Sequence, residues 1–131
     1  MGTRSQIEEP EEPIMADVKI DTVRSSSSGT PGRAVNQARS QRLMLDSSTH
    51  PQLDAFTNSE AFLGGVSSCG VTLIEAYAQD KGIPLTRMDV TIEGMRTAEE
   101  PNRFASVTMT FTIAGVSQAQ AEHLVETYRG R

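Results

Sequence analysis

The sequence predicts an α+β fold of element order β-β-β-α-β-β-α, with an antiparallel sheet and a central helix. Three observations carry this. Apolar and polar residues alternate with period two in short segments of both halves. Two longer segments keep helical spacing instead, and each opens on a helix-capping pattern. Strands and helices do not alternate strictly, which argues against a parallel βαβ sheet, and no repeat of about 20–50 residues is present.

The elements follow in order. "ADVKIDTVRS" alternates Val18, Ile20 and Thr22 with polar neighbours, as a half-buried strand does. "SSSSGTPG" over 25–32 is turn material. "RAVNQA" and "QRLMLD" read as two short strands, the second with Leu43 and Leu45 on one face, and "SSTHPQLDAF" as a loop. The first helix begins near Thr57, where Thr57-Asn58-Ser59-Glu60 fits a capping box. Phe62, Val66, Cys69, Leu73, Ala76 and Tyr77 form its apolar stripe. Gly82 fits its stop and Pro84 lies just beyond. Gly64, Gly65 and Gly70 lie inside this helix. Each costs about 1 kcal/mol against Ala, so they imply a close approach, most simply by another backbone.

"TRMDVTIEG" puts Met88, Val90 and Ile92 on one face of a strand. "MRTAEEPNR" connects it to "SVTMTFTIAG", where Val107, Met109, Phe111 and Ile113 alternate with threonines. The two strands are expected to form a hairpin ended by Gly115. Ser117-Gln118-Ala119-Gln120 opens a second helix whose apolar stripe is Ala121, Leu124, Val125 and Tyr128.

A chain of 131 residues holds one domain with a core. It is 37% hydrophobic and has no Trp. Either part of it is unfolded, or a second subunit completes the core. At the N-terminus "MGTRSQIEEPEEP" carries Arg4 against Glu8, Glu9, Glu11 and Glu12 and is nearly without apolar residues, which sets residues 1–15 apart. They are expected to be a disordered acidic tail, with an acidic interaction arm as the alternative, ahead of a domain spanning 16–131. Seventeen acids against twelve bases give a net charge of -5, which argues against a nucleic-acid binder. No run is read as approaching transmembrane length, and the N-terminus lacks the apolar core of a signal peptide. The single cysteine cannot form an internal disulfide. The expectation is a soluble, cytoplasmic protein with no membrane or nucleic-acid partner.

Little of the chain offers chemistry. No Walker or Rossmann glycine spacing occurs. His50 and His123 stand alone and read as solvated, so no metal and no cofactor is expected. Glu99 and Glu100 read as a solvated pair, and Ser67 and Ser68 lack a nucleophile elbow. Cys69 remains. Its place on the stripe with Val66 and Leu73 suits a buried small hydrophobe; the alternative is a reactive thiol. It lies beyond the reach of the helix dipole, so a thiolate would need a cation from elsewhere. Arg33, Arg39 and Arg42 are the candidates, and a carboxylate such as Glu60 would hold the Arg in place.

"TNSEAFLGGVSSCGVTLIEAYAQDKGIPLTRMDVTIEG" resembles the OsmC/Ohr family of thiol-dependent hydroperoxide reductases. The shared pattern is an acid opening a helix, a small-residue stretch, a Cys nine residues after the acid, a "KGIPL"-like turn and a strand. The resemblance extends over about residues 17–131. It implies an intertwined homodimer with central helices packed together inside two antiparallel sheets. It also implies that Cys69 is the peroxidatic cysteine, that Glu60 is the acid at the helix start, and that the Arg comes from the N-terminal strands, with Arg39 the first choice and Arg33 the second. The family's resolving cysteine falls about where this chain stops after Arg131, and nothing within 1–131 takes that role. The resemblance thus implies an organic hydroperoxide as substrate and a small thiol or dithiol as reductant. The runner-up reading is a non-catalytic dimer of this fold that binds a small apolar ligand or a partner. A third is a stress-associated structural protein acting through the acidic tail.

Overall fold

A computed structural model describes residues 18–130. Eight elements run β1 (Arg24–Ser27), β2 (Arg33–Ala38), β3 (Gln41–Asp46), β4 (Phe56–Thr57), α1 (Asn58–Asp80), β5 (Arg87–Met95), β6 (Ser106–Ala114) and α2 (Gln118–Arg129). The expected α+β order holds, with one short strand added. The strands form two separate sheets. One has the order β1-β2-β3-β4 and the other is the β5-β6 hairpin. All pairs are antiparallel except β3-β4, which is parallel.

The first strand needs correction. It was expected over "ADVKIDTVRS", but β1 is Arg24–Ser27, and residues 18–23 form no strand. Ala16 and Asp17 lie outside the described residues, as does the acidic tail. The register supplies the reason. Arg24 pairs with Gln37, and β2 ends one residue later at Ala38. Residues before Val23 would run past the end of the hairpin, so their alternation finds no strand to pair with. The serines at 25–27 accordingly belong to a strand, and the turn shrinks to 28–32. β2 and β3 join through the two-residue turn Arg39-Ser40, where Arg39 takes φ 55°.

The helix ends behave as their residues dictate. Thr57 accepts from the Glu60 amide at 3.2 Å, and the Glu60 carboxylate accepts from the Thr57 amide at 2.8 Å. Ser117 and Gln120 repeat the arrangement at 3.2 and 3.0 Å. Gly82 follows α1 at φ 66°. Gly115 turns the chain out of β6 at φ 90°, and a Cβ there would lie 2.6 Å from the Pro84 carbonyl oxygen. Only glycine combines that conformation with that approach.

β5 and β6 pair their apolar residues across the hairpin: Met88 with Ile113, Val90 with Phe111, Ile92 with Met109. This face receives α1 and α2, and Ile74, Ala78, Met88 and Leu124 are buried there. The meander of β1–β3 takes no part in this core. It is tied to the helix at its base, where β4 pairs with β3 and the Ser59 amide and hydroxyl both bond the Ser48 hydroxyl, at 3.2 and 2.6 Å.

Most of the expected stripe on α1 lies off the face that meets this core; of its members, Tyr77 packs against the core. Gly70, Ile74 and Ala78 are buried, whereas Phe62, Cys69 and Ala76 are exposed and Val66 and Leu73 only half-buried. The helix is apolar on two sides, and the packed side is the one facing its own α2 and β5. The reading that no run approaches transmembrane length also needs correction. α1 is long and apolar enough to cross a membrane by length and composition alone. One of its sides nonetheless sits on a hairpin and a helix of its own chain.

The uncovered surface is large. The chain exposes 10887 Å² for 14.2 kDa, where a folded monomer of that mass exposes about 6800 Å². Granting the 18 residues outside the description the full surface of an extended chain leaves an excess of about 2000 Å².

Candidate functional site

Cys69 lies near the middle of α1 on the outward apolar face, and its side chain is exposed. The buried-hydrophobe alternative for this thiol therefore fails within the single chain. At about 100° per residue, Phe62, Gly65, Cys69 and Ala76 fall within a narrow sector of the helix. All four are exposed, and nothing lies within 4 Å of where a Gly65 Cβ would be. The close approach at Gly65 is thus unmet inside one chain. At Gly70 it is met by a side chain rather than a backbone: a Cβ there would lie 3.3 Å from Tyr128 Cζ and 3.4 Å from Met109 Cε.

Glu60 is placed by the capping box and spends one carboxylate oxygen on the Thr57 amide. It does not share a side of α1 with Cys69. Nine residues are two and a half turns, about 13 Å along the axis and on the opposite side. Arg39 sits exposed at the tip of the β2-β3 hairpin, about 23 Å of strand away from Asp46 at its base. Arg42 is exposed on β3. Among the described residues neither makes an ion pair, and no hydrogen bond or ion pair joins Cys69, Arg39 and Glu60.

Arg33 is committed elsewhere. Its Nε and Nη2 donate to the two carboxylate oxygens of Asp46 at 2.7 and 3.0 Å, and Nη1 and Nη2 donate to Asp54 at 3.2 and 2.5 Å. Asp46 is 1% exposed and also accepts from the Gln52 amide at 3.3 Å. The hydrogen bonds from Arg33 hold both carboxyls below their usual range, and at Asp46 burial works against this. The same two carboxylates push the guanidinium up. This clamp fastens the loop after β3 to the hairpin base. It was missed in the sequence, although a signal exists. With a two-residue turn at Arg39-Ser40, cross-strand register puts Arg33 opposite Asp46.

The two histidines are exposed. His50 Nδ1 lies 3.1 Å from the Thr49 hydroxyl, and His123 Nε2 lies 3.1 Å from the Tyr77 hydroxyl. Among the described residues no group of three or more His, Cys, Asp or Glu side chains is placed to hold a metal ion.

The arrangement is that of a helix-borne thiol on an open apolar face, with an acid capping the same helix and arginines on a projecting hairpin. The family model of OsmC-like proteins matches residues 50–131, and the chain belongs to that family. No functionally curated protein matches the sequence. Solved structures share the fold. The OsmC-like protein from Mycoplasma pneumoniae superposes with a TM-score of 0.72 at 14% identity, covering 86% of this chain and 82% of that one. An organic hydroperoxide resistance protein OsmC from Legionella pneumophila gives 0.64 at 19% identity, covering 85% and 82%. The organic hydroperoxide resistance protein OhrB of Bacillus subtilis gives 0.58 at 12% identity, covering 82% of each chain.

Proposed function

We propose that the protein is a cytoplasmic thiol peroxidase that reduces organic hydroperoxides through Cys69, working as a homodimer. The observation that carries the reading is an exposed thiol at the centre of an uncovered apolar helix face, in a chain of the OsmC-like family. The excess surface of about 2000 Å² per chain supports the dimer, since about 4000 Å² for a pair lies within the range that obligate interfaces bury. Helix geometry supports a shared site. Glu60 and Cys69 are on opposite sides of one helix, so if they act together they come from different copies. Arg39, exposed at the tip of the β2-β3 hairpin and unpaired with Cys69 in its own chain, is free to serve the Cys69 of a second copy.

In the reaction, the Cys69 thiolate attacks the terminal oxygen of the hydroperoxide. The S–O bond forms as the O–O bond breaks, two electrons pass from sulfur to oxygen, and the alkoxide leaves as an alcohol on taking a proton. Arg39 offsets the charge on sulfur and on the departing oxygen, and Glu60 orients it. Chain residues 1–131 hold no second cysteine. An external thiol therefore condenses with the sulfenic acid, releasing water and leaving a mixed disulfide. A second thiol cleaves that disulfide and frees Cys69.

The test is intact-mass spectrometry of the protein with one equivalent of tert-butyl hydroperoxide, with and without a sulfenic-acid trap. Rapid addition of one oxygen, trapped at Cys69 and absent in Cys69→Ser, is expected, with turnover once a monothiol is supplied. An unmodified Cys69 in a folded dimer would sink the reading and leave a non-catalytic dimer that binds an apolar ligand.

A further inference from the structure

We propose that Tyr128 is a positioning residue for Cys69, governing the hydrogen bonding of its thiol; this rests on the reading of Cys69 as the reacting group. Tyr128 lies in the last turn of α2 and is half-buried. Its hydroxyl donates to the main-chain carbonyl of Val66 on α1 at 3.3 Å. Met109 Sδ, a weaker acceptor, is 4.0 Å from the same oxygen. The ring reaches the helix because residue 70 is glycine: a Cβ there would stand 3.3 Å from Cζ and 3.4 Å from Cε2. Phe111 braces the ring edge-on, at 6.1 Å and 63°.

Val66 is three residues before Cys69. A carbonyl has two lone-pair positions. In α1 one of them takes the Gly70 amide, the ordinary helical bond. Tyr128 takes the other. Short polar side chains elsewhere in this helix bond the carbonyl three residues back. The Ser67 hydroxyl donates to Gly64 and the Thr72 hydroxyl to Cys69, each at 3.3 Å. A thiol S–H is a weak donor that would use the same carbonyl. At Cys69 that carbonyl is already filled. An S–H bond to the main chain stabilises the protonated thiol and must break before sulfur attacks. Tyr128 withholds that bond and leaves the sulfur freer to react.

The test uses the full chain and Tyr128→Phe, which keeps the ring on Gly70 and removes only the hydroxyl. A single cysteine gives a single S–H stretching band in the infrared. The expected result is a shift of that band to lower wavenumber, with alkylation of Cys69 by iodoacetamide at neutral pH slowed about two- to fivefold. Gly70→Ala, whose methyl would stand 3.3 Å from Tyr128 Cζ and push the ring back by a few tenths of an ångström, lengthens an already long 3.3 Å bond; it is the second variant and is expected to move the band in the same direction by less. A band unmoved in the folded variants overturns the proposal. So does a moved band with an unchanged alkylation rate. Neither readout uses a hydroperoxide, so a thiol that shows both changes yet ignores hydroperoxide would sink the peroxidase reading alone.

Discussion

Phe62→Glu is predicted to dissociate the proposed dimer. Phe62 stacks on Phe104 of its own chain at a ring separation of 6.2 Å, yet 62% of its surface remains exposed. A Phe side chain buries about 200 Å² when fully covered, so about 120 Å² here awaits a partner. At about 25 cal/mol per Å² that is about 3 kcal/mol per copy. In a two-fold symmetric pair the same residue counts twice, giving about 6 kcal/mol, or roughly a 10⁴-fold weaker dissociation constant. A carboxylate facing an apolar surface adds to this. Sedimentation equilibrium across a concentration series measures the constant directly, and circular dichroism checks that α1 survives. An unchanged dimer in a folded Phe62→Glu protein would refute placing this face at the interface. A wild-type chain that sediments as a monomer would refute the dimer itself.

Two further predictions concern the scaffold. Asp46 and Asp54 both have lowered carboxyl pKa values through Arg33, so the folded state binds their protons less readily than the unfolded state does. The clamp's contribution is therefore complete above the ordinary carboxylate range and is lost as pH falls through the lowered values. Urea midpoints measured from neutral pH downward should fall, and Asp46→Asn should start lower and show a flatter acid limb. Separately, Gly115→Ala should cost more than Gly82→Ala. Both positions have positive φ, worth about 1–2 kcal/mol, but only at Gly115 would the new methyl meet a carbonyl oxygen at 2.6 Å. Thermal denaturation of the two variants tests this, and equal losses would contradict the assigned packing.

What was legible in the sequence was local. Both helix starts follow from hydroxyl and carboxylate or amide groups three residues apart, and the β5-β6 hairpin follows from alternation that no helix period mimics. The fold order and the lone thiol could be read the same way. Other features depend on contacts between distant segments. α1 has two apolar sides, and spacing alone cannot say which one meets α2; Ile74 and Ala78 were hidden behind the more obvious run from Phe62 to Tyr77. The alternation at Val18, Ile20 and Thr22 is genuine, but β2 ends before it can pair with them. In the sequence Arg33 reads as a free cation, because its partners, Asp46 and Asp54, lie 13 and 21 residues away. The seat of Tyr128 on Gly70 spans half of the domain in sequence and leaves no periodic trace.

The edge of the meander bears on what kind of assembly this chain can build. β1 is Arg24-Ser25-Ser26-Ser27, every residue exposed, at the edge of its sheet among the described residues. Such an edge offers backbone hydrogen-bonding groups but no apolar side chain to reward a strand that docks there, and its Arg repels a like strand laid beside it. Growth by edge-to-edge addition, the route to open filaments, gains little. The helix face around Gly65 and Cys69, by contrast, is one patch that can match itself by a two-fold rotation, and one such match uses it up. In the proposed dimer, association through this face would close at two copies, and the serine edge would offer little for a third to add to.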